Sequence, residues 1–193
     1  MKTYVLAAAA LTLIACNAPP AAQQAEAQTP LAPSAQGAAN RTPDVIYVPT
    51  PQETVDAMLK LAEVKYGDVV YDLGSGDGRI PIAAARRYGV RAVGVELDAR
   101  LVEQARCRAR EAGVAHLVEF RQQDIFETDL REASVVTLFL FPHTNAKLAP
   151  KLRGELAPGA RIVSHRFGIG TWQPEREHEA HGHPILLWRV TPR

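Results

Sequence analysis

The sequence predicts an α/β domain built on a doubly wound, mostly parallel, Rossmann-like sheet. Three observations carry that expectation. Apolar runs of strand length alternate with stretches of helical spacing from Thr50 onward. One run, residues 69–73, enters Gly74-Ser75-Gly76-Asp77-Gly78 and then a helical pattern, which reads as strand, tight turn and helix. Another, residues 135–141, is apolar almost without break, as a parallel strand covered on both faces should be.

The elements follow in order. Residues 52–61 set Val55 and Leu59, with Ala62 just beyond, at helical spacing. Strand one covers residues 69–73. A helix begins near Ile80, with Pro81 in the first turn where a missing N–H costs nothing, and stops at Gly89. Strand two covers residues 92–96. Asp98 caps a helix running to Ala112, with Leu101, Ala105 and Ala109 on one face and Gly113 as its stop. Strand three covers residues 117–121 and strand four residues 135–141. A helix over residues 144–156 is closed by Pro158-Gly159. Strand five covers residues 161–165, a hairpin falls near residues 177–184, and the last strand covers residues 185–190. Right-handed crossovers then place a ligand at the strand C-termini. Residues 45–193 are expected to form one domain.

The N-terminus is a separate object. Met1-Lys2 opens it, and residues 4–15 are apolar but short for a spanning helix. Leu13-Ile14-Ala15-Cys16 resembles a bacterial lipobox, in which a small residue precedes a cysteine that becomes lipidated. Residues 1–16 are therefore read as a signal with Cys16 as the lipidation site; an ordinary signal peptide or a short membrane anchor is the alternative. Residues 17–40 are rich in Ala, Gln and Pro and hold a single charge, Glu26. Such a segment cannot bury enough apolar surface to fold. Residues 17–44 are read as a tether, with a reach of about 25–30 Å as a flexible coil.

The chain has 193 residues, enough for one core, and its 22 basic and 21 acidic side chains nearly balance. That balance speaks against a dedicated nucleic-acid binder. Asp72 and Asp77 flank the glycine turn and would repel a pyrophosphate, while a ligand with an ammonium and a sulfonium would be welcome. S-adenosylmethionine has both. The spacing is G-x-G-x-G, not the dinucleotide G-x-G-x-x-G. Glu96, about twenty residues after the turn, ends strand two, where a carboxylate takes ribose hydroxyls. Asp98 is the better N-cap, which leaves Glu96 to the ligand. Asp124, after strand three, stands where an adenine amino group can be accepted.

Asp72-x-Gly74-x-Gly76-x-Gly78, with Glu96 and Asp124, resembles the class I S-adenosylmethionine-dependent methyltransferases. More closely, Tyr47-Val48-Pro49-Thr50-Pro51, residues 71–79, Gly94-Val95-Glu96-Leu97-Asp98, Arg166-Phe167 and Trp172-Gln173-Pro174 are similar to the small lysine methyltransferases of the adenine nucleotide translocase and the ATP synthase c subunit. The resemblance runs from about residue 45 to the end. It implies S-adenosylmethionine as cofactor, held by Asp72, Gly74, Ser75, Gly76, Asp77, Gly78, Glu96, Leu97, Asp124 and Ile125. It implies a protein lysine as acceptor, with Tyr47, Phe141, Pro142 and Trp172 on the substrate side.

Amino-directed methyltransferases often carry Asn/Asp-Pro-Pro-aromatic after strand four. Here Leu140-Phe141-Pro142-His143 lacks the polar first residue, which argues against a base acceptor. His143 is the one titratable group at that strand end: either a proton acceptor for the nucleophile or a solvated histidine at a helix start. His178, His181 and His183 are read as a solvated hairpin tip rather than a metal site, since no cysteine or helical register accompanies them. No metal is expected.

Two other functions compete: a nicotinamide-dependent oxidoreductase, and a non-catalytic lipoprotein module that keeps the fold. A lipobox also conflicts with a cofactor made in the cytoplasm. The domain acts in the envelope on an unidentified cofactor supply, or stays on the cytoplasmic side behind an uncleaved anchor, or starts later than Met1.

Overall fold

The computed structural model describes residues 48–192. Cys16, Tyr47 and the expected signal and tether lie outside the described residues. The elements are α1 (Gln52–Leu61), β1 (Val69–Leu73), α2 (Arg79–Tyr88), β2 (Arg91–Glu96), α3 (Ala99–Glu111), β3 (Val118–Gln122), β4 (Val135–Leu138), α4 (Pro142–Glu155), β5 (Arg161–His165), β6 (Arg176–Ala180) and β7 (His183–Arg189). They form one seven-stranded sheet in the order β3-β2-β1-β4-β5-β7-β6. Strands β1 to β5 pair in parallel, and β7 is antiparallel to both β5 and β6. The chain winds outward from β1 to β3 and then crosses back to β4. That reversal makes the C-terminal ends of β1 and β4 the switch point where ligands bind in such sheets.

The periodicity explains the layers. Val55, Met58 and Leu59 of α1 pack with Ile80, Ala83 and Ala84 of α2 and with Val70, Val135 and Val163 of the sheet. Leu148 and Leu152 of α4 pack with Tyr71, Leu73, Val136, Leu138 and Ile162, whose side chains alternate onto the other face. Every residue of β4 is buried, as its nearly unbroken apolar pattern requires, and so is every residue of β5, including Arg161, Ser164 and His165. Arg161, at the start of β5, donates to the carbonyls of Ala62 and Glu63 and pairs with Asp68. This ties the end of α1 to the edge of the sheet opposite the switch point.

Boundaries differ from expectation most at β4, at α4 and at β7, which covers residues 183–189 rather than 185–190. β4 ends at Leu138, three residues early, because Phe141 becomes the N-cap of α4 and Pro142 takes its first turn. α4 consequently starts at Pro142 rather than Thr144. β3 lies one residue later than predicted. The expected hairpin is β6–β7, with His181 in the turn at φ 53°. β6 presents Arg176, Glu177, His178 and Glu179 to solvent, a charged face that discourages edge pairing. Among the described residues, no helix is long and apolar enough to cross a membrane.

Candidate cofactor and acceptor site

The turn after β1 is built by glycine for two different reasons. Gly74, Gly76 and Gly78 have φ of 80°, 52° and 78°, the left-handed region that costs other residues strain. At Gly78 there is also no room. A Cβ would lie 2.5 Å from Cζ of Phe120, and one at Gly94 would lie 2.5 Å from Cδ1 of the same ring. The last glycine of the motif thus makes space for a β3 side chain. Helix α2 then starts directly from Gly78.

Four of the five amides of the turn are already spent. Gly74 and Ser75 both donate to the Val95 carbonyl at 2.9 Å, Gly76 to Glu96 Oε2 at 3.0 Å, and Gly78 to the Ser75 carbonyl at 2.9 Å. A phosphate cradle needs such groups pointing at the ligand. This turn offers carboxyl groups instead.

The three acids have separate environments. Asp77 is buried, and its carboxylate takes Arg79 at 2.6 and 2.9 Å as well as Arg108. It is therefore not the uncompensated negative charge expected from the sequence; it anchors the start of α2. Asp72 is 3% exposed and accepts the Thr137 hydroxyl at 2.7 Å. Burial raises its pKa to about 7; the Thr137 hydrogen bond works against this, and the Glu96 and Asp77 charges add to it. Glu96 is half-buried at the tip of β2 and accepts the amides of Gly76, Leu97 and Asp98 at 3.0, 2.8 and 3.0 Å. Asp98 does cap α3, accepting from Arg100 N–H, but Glu96 is engaged as well. No lysine or arginine among the described residues pairs with Asp72 or Glu96. The donor set fits a ligand with hydroxyls and positive charge. Glu96 is the residue that would hold the ribose, and Asp72 the one that would face the cationic part.

The remaining predicted residues divide. Gln123 N–H donates to the Glu96 carbonyl, which brings the Asp124 loop to the tip of β2. Asp124 Oδ1 also accepts Phe126 N–H at 2.9 Å, and Ile125 packs on the core. Leu97 is half-buried beside Glu96. Ser75 is buried, and its hydroxyl has no hydrogen-bond partner among the described residues. Phe141 is 43% exposed, and its ring stacks on exposed His143 at 6.0 Å. Pro142 is exposed beside them. Trp172 is half-buried: Arg153 covers its ring at 4.3 Å, its carbonyl accepts Trp188 Nε1–H, and it packs on the core. Among the described residues, no group of three His, Cys, Asp or Glu side chains is placed to hold a metal ion.

Sequence reasoning missed Thr137, Phe139 and His165. Thr137 is the one hydroxyl in an apolar run, and parallel register sets it opposite Asp72. His165 ended a predicted strand, which by itself places it at the ligand edge.

The fold and this acidic turn define an S-adenosylmethionine-dependent methyltransferase. The chain belongs to the family described as the ANTKMT methyltransferase domain, whose model matches residues 72–176. A protein-lysine N-methyltransferase of Saccharolobus islandicus is 46% identical over 134 residues, which span 69% of this chain and 83% of that one. The adenine nucleotide translocase lysine N-methyltransferase of Mus musculus is 43% identical over 131 residues, 67% of this chain and 56% of that one, so the chain spans about half of the mammalian relative. A crystal structure of an RNA methyltransferase from Salinibacter ruber, in complex with S-adenosylhomocysteine, is 54% identical with a TM-score of 0.74, over 76% of this chain and 95% of that chain. S-adenosylmethionine is the cofactor, and the oxidoreductase and non-catalytic readings fall away.

Asp72 is expected to make cofactor binding pH-dependent. With its pKa raised to about 7 from 3.8, Asp72 keeps its proton in the folded protein where the unfolded chain has lost it. Its contribution to stability is thus full below the unfolded value and is lost as pH rises through about 7. A bound cation favours the carboxylate, so binding should release a proton and tighten as pH rises to about 7. Calorimetry at about pH 6.5 in two buffers of different ionisation enthalpy reads this directly. Release that persists in Asp72→Asn would assign it to another group.

Proposed function

We propose that this protein transfers the methyl group of S-adenosylmethionine to the ε-amine of a lysine in a protein. The observation that carries the reading is the similarity, at 46% and 43% identity, to two enzymes named for lysine methylation. The site supports it. The cofactor supplies an electrophilic methyl on a sulfonium, and no covalent enzyme intermediate is needed. What the chain must supply is position, which is worth several kcal/mol, and a neutral amine. A lysine has a pKa near 10.4 in water. The rings of Phe139, Phe167 and Phe141 lie 6.4 Å apart in succession after β4 and β5, and an amine held against them would lose water, which favours the uncharged form. Leu140 stands where the polar first residue of the Asn/Asp-Pro-Pro-aromatic motif would take the edge of a base.

The similarity to the RNA methyltransferase of Salinibacter ruber supports a second reading, an RNA acceptor. Against it stands the near balance of 22 basic and 21 acidic side chains. We place the protein at a membrane, with Cys16 lipidated and residues 17–44 as tether, on the order of residues 13–16 alone. Tethering would raise the local concentration of membrane-associated targets.

One experiment addresses both parts. The full chain is incubated with tritiated-methyl S-adenosylmethionine and a bacterial lysate separated into membrane protein, soluble protein and RNA. Label is expected on lysines of membrane proteins and should vanish in Asp72→Ala. Label in RNA alone overturns the lysine acceptor. The wild type should partition with membranes and take up labelled palmitate, and Cys16→Ser should do neither; palmitate-free, soluble wild type removes the anchor.

A further inference from the structure

His165 ends β5 at the same edge of the sheet as the glycine turn. Parallel register pairs Asp72 with Thr137, and Leu138 with Ser164. Side chains alternate, so Asp72, Thr137, Phe139 and His165 share one face of the sheet at that edge. The rings of Phe139 and His165 are 4.2 Å apart between centroids. A row of rings continues outward. Phe139 stacks on Phe167 at 6.4 Å, Phe167 meets Phe141 at 6.4 Å, and Phe141 stacks on exposed His143 at 6.0 Å. Phe167 is held in this row by its carbonyl, which accepts Ser164 Oγ–H at 2.7 Å and Asn145 Nδ2–H at 3.3 Å.

At the inner end of the row, His165 is 1% exposed, and neither ring nitrogen has a hydrogen-bond partner among the described residues. Buried polar groups are nearly always paired, because an unpaired one costs its full desolvation. Arg161, at the other end of the same strand, obeys that rule with three partners. An apolar side chain would fill the His165 site without the penalty. The position therefore calls for a partner that arrives with a ligand.

We propose that His165 orients the acceptor amine: its imidazole accepts one N–H of the neutral amine, reached past Phe139, and so turns the nitrogen lone pair toward the methyl donor. This rests on the lysine acceptor proposed above. The imidazole must be uncharged to do it. Burial, with facing His183 on β7 and Arg166 next in the chain, lowers its pKa to about 4. His165 is thus an acceptor and not the base; the target ammonium loses its proton to water, the N–CH₃ bond forms as S–CH₃ breaks, and the product nitrogen is cationic.

The test compares His165→Leu and His165→Gln with wild type, using tritiated-methyl S-adenosylmethionine and a bacterial membrane-protein fraction, with methyl-lysine counted after hydrolysis. Cofactor affinity and melting temperature are measured in parallel. His165→Leu should bind cofactor as wild type does and melt no lower, yet methylate lysine roughly tenfold to a hundredfold more slowly, the range expected for a misplaced reactant. His165→Gln, which keeps an acceptor, should regain part of the rate. Wild-type turnover in His165→Leu overturns the proposal. So does a His165→Leu that melts lower and loses cofactor, since that marks a packing role. If wild type labels RNA and no lysine, the acceptor reading falls, and this inference falls with it.

Discussion

Glu96→Ala is expected to weaken S-adenosylmethionine binding by between tenfold and several hundredfold. Hydrogen bonds from hydroxyls to a carboxylate are worth about 1.5–3 kcal/mol each, and one such bond is about a tenfold change in affinity or more. The structure adds a second contribution. The same carboxylate accepts the amides of Gly76, Leu97 and Asp98. Alanine leaves the buried Gly76 amide and the half-buried Leu97 and Asp98 amides without their acceptor and loosens the glycine turn from the tip of β2. The variant should therefore also lose roughly 1–2 kcal/mol of stability, the cost of orphaning such groups. Glu96→Gln separates the two effects. Its carbonyl oxygen keeps Leu97 and Asp98, while its NH₂ meets the Gly76 N–H donor to donor. Gln should recover much of the stability and little of the affinity. Calorimetry with the cofactor and thermal unfolding without it give both numbers. An unchanged dissociation constant in Glu96→Ala would reduce this residue to a clamp on the turn.

The ligand edge was legible because its signals are local. Asp72, the glycines, Glu96 and Asp98 sit at strand ends, where backbone geometry dictates residue type within a few positions. What escaped reading was non-local. Arg108 reaches Asp77 from α3, 31 residues away, and this removes the charge that the sequence assigned to the turn. The packing reason for Gly78 was equally out of reach: a Cβ there would meet Phe120 of β3, 42 residues on. Phe139 extended an apolar run and was read as strand; the Phe141-Pro142 helix start ended β4 before it. His165 carried no motif at all. Its meaning lies in two unpaired nitrogens, and pairing is a property of the folded neighbourhood.

Arg161→Met should cost about 3–5 kcal/mol of unfolding free energy near neutral pH, the range for breaking a buried ion pair from one side. Arg161 and Asp68 are 8% and 7% exposed. The guanidinium also donates to the Ala62 and Glu63 carbonyls at 3.0 Å each, so one side chain joins the end of α1, the approach to β1 and the start of β5. Burial acts to raise the pKa of Asp68, but the Lys65 amide, the Arg161 guanidinium and the Ser134 hydroxyl outweigh it and hold the pKa below the usual value. A depressed acid contributes stability above its unfolded pKa and loses it as pH falls through the folded one. Removing Arg161 strands the Asp68 charge, and that penalty is relieved once acid protonates the carboxyl. The deficit of Arg161→Met should therefore be largest at neutral pH and shrink below about pH 4. Asp68→Asn added to Arg161→Met removes the stranded charge while keeping an oxygen for Ser134 or Lys65, and should recover part of the loss at pH 7. Urea unfolding of the three chains across pH measures this. A deficit that is the same at pH 3 and pH 7 would mean that Arg161 acts through its carbonyl contacts on α1 and not through Asp68.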